Sequence, residues 1–213
     1  MDDQKNLNAS LDNLLAQGIQ SYLFALLTVQ QFRIEVQKRT LNALTVKIKE
    51  LGDAMGRDID ESWLQPHTNP DSLSDRGYDG SKAEVLLKLF VAPVDCYFGI
   101  RFEFDGEGKT ASYVTVNMWP WTKEQMHFLL QKAKEITDDF NNNDGNEIEI
   151  REILDPAEQE LFEKKLIALI DKWIAVWKTV GGIDAMNNGF PSEFATAYPL
   201  KTVPGAASGY ASS

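Results

Sequence analysis

The chain has 213 residues, of which 43% are apolar and 25% charged, and its formal net charge at neutral pH is −11. A chain of this length buries enough surface to fold without a disulfide or a metal. Its acidity opposes binding to nucleic acid, where lysine and arginine supply the affinity. Because Cys96 is the single cysteine, no intramolecular disulfide and no cysteine-based zinc site can form.

Residues 1–55 have the pattern of a helical segment. From Leu11 to Met55, apolar residues recur on one face at a mean spacing close to 3.6 residues, and between Gly18 and Gly52 there is neither glycine nor proline. An unbroken helix over that stretch would exceed the diameter of a compact domain of this size. We therefore expect a bend within 32–40. The alternative is a straight helix, one end of which projects and packs against a second subunit.

Residues 56–82 are rich in glycine, proline, asparagine, aspartate and serine, which predicts a long loop. Loops of this length are uncommon in compact domains and tend to be functional or disordered. Trp63 and Leu64 lie within the loop, and we expect them to anchor it to the core.

The strands of the core follow this loop. Residues 84–91 are apolar on both faces, as in a buried strand, and Pro93 ends them. Residues 97–105 and 111–119 alternate between apolar and polar side chains on either side of a glycine-containing turn, which predicts a β-hairpin. Phenylalanines and valines would face the core, and a polar and aromatic set would face the other way.

Thr122 and Gln125 form the pattern of a capping box, which predicts a helix over 122–140. After a polar turn at 141–146, residues 147–153 alternate again as a strand. Asp155 and Pro156 then predict the start of a last helix, which ends at Gly181 and Gly182.

The expected fold is a single α+β domain of order α-β-β-β-α-β-α, with a mixed sheet of about four strands. Residues 1–55 form its helical segment, 56–82 a loop, 83–187 the α+β core, and 188–213 a flexible tail.

The order of the elements up to residue 153 matches the core order of restriction-endonuclease-like folds, in which acidic residues hold Mg²⁺. Asp95 stands near the expected position, but the third strand offers Thr115 and Asn117 in place of a carboxylate and a lysine. The two histidines, His67 and His127, show no partner in sequence for general-base or nucleophilic chemistry. We therefore predict no catalytic residue, no metal site and no cofactor.

The outward face of the hairpin is the candidate binding surface. Tryptophan, tyrosine and arginine are enriched at binding hot spots, and residues 147, 149 and 151 would extend the face if their strand joins the sheet. The predicted binding residues are Tyr97, Arg101, Glu103, Tyr113, Thr115, Asn117 and Trp119.

Three functional hypotheses follow. We favour a non-catalytic protein-interaction module, such as an acidic inhibitor or immunity-type protein with a basic protein partner. A second is a divergent or inactive restriction-endonuclease-like hydrolase that uses Asp95, Glu103 and a carboxylate of the first helix, Glu35 or Glu50. A third is a homodimeric structural or phage-associated protein that pairs through the N-terminal helix.

The N-terminus lacks the basic region of a signal peptide, and residues 22–29, the most apolar run, are too short to cross a membrane. We therefore expect a cytoplasmic protein without a membrane partner.

Overall fold

The computed structural model of the protein describes residues 2–67, 82–104, 110–143 and 145–188. The elements in these ranges confirm an α+β fold. The helices are α1 (Asp2–Met55), α2 (Lys123–Ile136), α3 (Phe162–Val180) and α4 (Ile183–Asn188), and the strands are β1 (Leu64–His67), β2 (Lys82–Val91), β3 (Val94–Phe104), β4 (Thr110–Pro120), β5 (Asn141–Asn143) and β6 (Glu147–Ile153).

The strands form one sheet of six in the order β1-β2-β3-β4-β6-β5, and every hydrogen-bonded pair is antiparallel. The prediction of a mixed sheet of four strands was therefore wrong in both respects. The two additional strands are the short edge strands. β1 lies inside the segment predicted as a loop, and β5 lies in the predicted polar turn.

Helix α1 is one continuous element of 54 residues, about 81 Å long at 1.5 Å per residue. The helix is not interrupted within 32–40, where we expected the chain to bend. Along the C-terminal half, the apolar stripe is buried against the body of the protein, from Val36 through Leu44 and Leu51 to Met55. The described side chains before Phe32 are all exposed, so this end of the helix extends away from the body.

The two faces of the sheet differ in chemistry, as the alternation predicts. One face, which we call the apolar face, packs against α1, α2 and α3 and contains Val85, Phe98, Val116 and Ile150 among its buried residues. The opposite face, which we call the polar face, carries the odd-numbered residues of β3, β4 and β6 and the even-numbered residues of β2. Because α1 packs on the apolar face, it does not cover the predicted binding residues.

Several helix termini follow the sequence signals, whereas α2 ends at Ile136, four residues before the predicted end at residue 140. The Thr122 side chain accepts from the Gln125 backbone, and the Gln125 side chain accepts from the Thr122 backbone, so the predicted capping box is present. The Asp155 side chain caps a 3₁₀ helix at Pro156–Leu161, and α3 begins only after it. Gly181, at a φ of 84°, ends α3 as predicted.

The other boundaries are confirmed in part. Trp63 and Leu64 are half-buried and pack on the core, as expected. A short helix, α4, follows the predicted stop at Gly182. Residues 68–81 of the predicted loop and 189–213 of the predicted tail lie outside the described residues. Among the described helices, none combines the length and apolar character that crossing a membrane requires.

Candidate binding face

The seven residues predicted to bind a partner all lie on the polar face. In β3, Tyr97 and Arg101 pair with Asn117 and Tyr113 of β4. In turn, Asn117 and Thr115 pair with Glu149 and Arg151 of β6, so the third strand joins the same surface. The alternation in the sequence predicts that these residues share one face of an antiparallel hairpin, and the strand pairing confirms this.

Arg101 is the centre of a buried ion network on this face. Its guanidinium donates to carboxylate oxygens of Glu84 at 2.5 Å, Glu149 at 2.8 Å and Glu147 at 3.0 Å. The Arg101 and Glu149 side chains are only 4% and 1% exposed. Such charged hydrogen bonds are stronger than neutral ones, and here three carboxylates surround one cation.

Thr115 and Asn117 complete this network. The Thr115 hydroxyl donates to Glu149 at 2.7 Å. With the amide of Asn117 turned to suit its neighbours, its nitrogen donates to Thr115 Oγ1 at 2.6 Å and its oxygen accepts from Arg101 Nη2 at 3.0 Å. Both side chains are fully buried. These two predicted binding residues therefore stabilise the network and are not accessible to a partner.

The excess of carboxylates perturbs the titration of the network. Burial alone would lower the pKa of Arg101, but Glu84, Glu149 and Glu147 outweigh it, so the pKa is raised and the guanidinium stays charged. Burial raises the pKa of Glu147, and its like-charged neighbours Glu149 and Glu84 add to that increase, while Arg101 opposes it. Protonation of Glu147 therefore relieves part of the excess negative charge.

Arg151 forms a second cluster beside this network. It makes an ion pair with Glu103, and its guanidinium lies over the Tyr113 ring, 4.2 Å from the ring centroid. Arg151 also lies 3.8 Å from Glu149. Glu103 and Tyr113 are half-buried, so this cluster forms the rim of the network at one end of the polar face.

The opposite end of the polar face carries exposed aromatic rings. Phe90, Trp119 and Trp121 are 48%, 45% and 39% exposed, and we call these three residues the aromatic end. Phe90 and Trp121 lie 5.7 Å apart between ring centroids, and Trp119 lies 6.4 Å from Tyr97. The sequence predicted Trp119 as a contact but not Phe90 or Trp121.

A charged pair lies beside these rings. Lys88 donates to Asp95 Oδ2 at 2.7 Å, and its ammonium lies 5.6 Å from the Phe90 ring centroid and 5.4 Å from that of Tyr97. Burial would lower the pKa of Lys88, but the bond to Asp95 raises it overall. The other oxygen, Asp95 Oδ1, has no hydrogen-bond partner in the described structure.

Tyr97 has aromatic neighbours on two strands, Trp119 of β4 and His67 of β1. His67 of β1 packs edge-on against it, with ring centroids 4.9 Å apart. Burial raises the pKa of Tyr97 and lowers the pKa of His67. His67 is therefore neutral at physiological pH and serves as a packing partner.

The carboxylates of the hydrolase hypothesis are not brought together. Asp95 and Glu103 lie eight residues apart on one strand, about 27 Å at 3.4 Å per residue, so they cannot share an ion. Asp95 is paired with Lys88, and Glu50 of α1 is paired with Lys47 and Lys178. Within the described residues, no three histidine, cysteine or acidic side chains form a cluster that could hold a metal.

Cys96 faces the apolar side of the sheet and is fully buried. Burial raises the pKa of its thiol far above the ordinary value, with a smaller increase from Asp95 and an opposing effect from Lys88. The thiol therefore stays protonated and is not a nucleophile in the folded protein. His127 lies on the exposed surface of α2.

No family model matches the sequence, and no curated protein and no solved structure shows significant similarity to it.

Proposed function

We propose that the chain is a non-catalytic protein-interaction module that binds a basic protein partner through the aromatic end. The observation that carries this proposal is the grouping of Phe90, Trp119 and Trp121 at one end of the polar face, each with two fifths to one half of its surface exposed. Large aromatic rings bury much apolar area on binding and dominate hot spots.

The ion network of the polar face supports this role. Arg101 and its three glutamates fix the strands beneath the polar face through buried hydrogen bonds. A surface held in this way loses little conformational freedom on binding, which favours affinity. The buried members of the predicted set, Thr115 and Asn117, thus act as support and Trp119 as the contact.

Charge favours a basic partner. Of the charged side chains described on the polar face, five are acidic and three are basic, and the whole chain carries −11. The acidic set is Glu84, Asp95, Glu103, Glu147 and Glu149, and the basic set is Lys88, Arg101 and Arg151. Complementary potentials speed association and select the partner.

The test is capture of a partner from the native host at moderate salt on the immobilised full chain, followed by titration of the purified partner. Phe90→Ala and Trp119→Ala each should weaken binding by about 10–30-fold, as hot-spot truncations do. Ile136→Ala is the matched control, because Ile136 has similar exposure, 38%, at the end of α2. We expect it to bind normally.

Binding should also weaken as salt is raised, since a basic partner is attracted electrostatically. Equal loss in the Ile136→Ala control, or unchanged binding in both aromatic variants, contradicts the proposed site. Failure to capture any protein, with a small molecule co-purifying instead, contradicts the proposed function.

A further inference from the structure

We propose that the exposed half of α1, residues 13–32, pairs with the same segment of a second copy of this chain and makes the protein a homodimer. This segment is independent of the polar face, and the inference does not depend on the proposed function.

The exposed half of α1 carries a seam suited to helix pairing. Leu15, Ile19, Tyr22, Leu26 and Val29 follow one another at alternating spacings of four and three residues, and all are 43–65% exposed. This spacing places the five side chains on one face of the helix, where each can insert between residues of a facing helix.

The seam continues the stripe that fixes α1 to the body. In the C-terminal half, the corresponding stripe at Val36, Leu44, Ile48 and Leu51 is at most 5% exposed. Phe32 marks the transition, because its ring contacts Phe102 of β3 at 5.9 Å between centroids while 43% of its surface stays exposed. The same face of α1 therefore packs on the body in the C-terminal half, whereas in the N-terminal half it contacts no other element among the described residues.

The exposed apolar surface extends beyond the seam. Leu14, Leu23 and Leu27 lie beside it around the helix and are 52–63% exposed, whereas Phe24 lies on the opposite side of the helix. The seam and these three neighbours form one continuous surface of eight large side chains, each 43–65% exposed. Contiguous apolar surfaces larger than the about 300–600 Å² of a typical monomer mark interaction sites, and pairing of two copies removes the seam from water.

Charge identifies the occupant as a second copy. Residues 13–32 contain no aspartate, glutamate, lysine or arginine, although the whole chain carries −11. Two like-charged chains can therefore approach along this segment without burying a charge. Helices that lie on membrane surfaces usually carry lysine or arginine on their polar face, and this segment has none.

The mass in solution tests the inference. Sedimentation equilibrium or light scattering of the full chain at micromolar concentrations should give twice the chain mass. Leu26→Glu and Tyr22→Glu should each give the single-chain mass, with at least a tenfold weaker dimer. Val46→Glu is the matched control on the same helix, because Val46 is 69% exposed in the half of α1 that packs on the body, and it should remain dimeric.

Circular dichroism separates loss of pairing from loss of folding, since the exposed segment makes few contacts with the body and the variants should retain the sheet and its unfolding transition. A single-chain mass for the unmodified protein overturns the inference. So does a dimer that persists in both glutamate variants, or a monomer that binds lipid vesicles through this segment.

Discussion

Substitution of Arg101 by methionine tests the buried network directly. Methionine has a similar length but no charge and no donor, so it leaves Glu84, Glu147 and Glu149 without the cation they share, although Arg151 still lies 3.8 Å from Glu149. Arg101 and Glu149 are almost inaccessible to water, and solvent cannot replace the lost hydrogen bonds there. We therefore expect the substitution to lower the free energy of unfolding strongly.

The expected magnitude follows from the exposure of each partner. Removing one member of a buried ion pair costs about 3–5 kcal/mol. Glu84 and Glu147 are 29% and 17% exposed, so solvent screening reduces their share, and we expect about 3 kcal/mol. For a chain of this size that corresponds to a fall in Tm of about 6–12 °C.

The loss should depend on pH. The pKa of Glu147 is raised in the folded state, so its contribution to stability is present below its ordinary pKa and is lost as pH rises through the folded pKa. Without Arg101, the main influence that lowers this pKa is gone, and the pKa rises further. The Arg101→Met variant therefore loses stability over a wider pH range, and its deficit should be larger at about pH 8 than at about pH 5.

Urea unfolding followed by tryptophan fluorescence at both pH values measures this deficit. Arg101→Lys, which keeps the charge but loses the fork of donors, should lose less stability than Arg101→Met. Adding Glu149→Gln to Arg101→Met removes a buried charge and should recover part of the loss. A deficit below about 1 kcal/mol, or one that is equal at both pH values, would refute the reasoning.

Three further predictions concern the scaffold. Gly99→Ala should lower the free energy of unfolding by about 3 kcal/mol, measured in urea, because Gly99 has a φ of 152° and an added Cβ would clash with the Val85 carbonyl oxygen. An unchanged free energy of unfolding would mean that β2 and β3 can move apart at this position. Thr122→Ala should cost about 1 kcal/mol through loss of the capping box, and Thr122→Ser should cost less. The Cys96 thiol should react with a thiol reagent only after unfolding, and reaction of the native protein at the rate of an exposed thiol would show that the apolar face opens.

The sequence predicts the centre of the sheet well and its edges poorly. β3 and β4 alternate over many residues, and a shift of one residue would move phenylalanines to the wrong face, so their register is strongly specified. β1 contains Pro66, and β5 consists of three asparagines, residues that are depleted in strands. These short strands form because β2 and β6 offer them unpaired backbone groups, which is a property of the folded sheet.

The error in α1 came from an assumption about size. No residue between Gly18 and Gly52 breaks a helix, and the sequence pattern keeps one phase throughout. The bend was expected because a compact domain has no room for such a length, yet half of this helix lies outside the body. The length of the helix was therefore set by its local sequence and was not limited by the diameter of the domain.

The sequence predicted which residues share the candidate face, but not which of them are buried and which are exposed. The alternation gave the side of the sheet, and the structure confirms it for Trp119 and its six companions. Which of them are buried depends on neighbours from β2 and β6, since Glu84 and Glu149 enclose Arg101. Phe90 was missed because 84–91 is apolar on both faces. The two-residue connection at Ala92 and Pro93 sets the pairing that places Phe90 opposite Asp95.

The short outer strands limit how this protein can associate. β1 has four residues, one of them a proline without an amide hydrogen, and β5 has three, so neither border of the sheet offers a long row of free backbone groups to a foreign strand. Continuous growth into fibrils by strand addition therefore has little template in the described part of the chain. Side-chain contacts, such as those along the exposed half of α1, therefore offer this protein a better route to association than strand addition does.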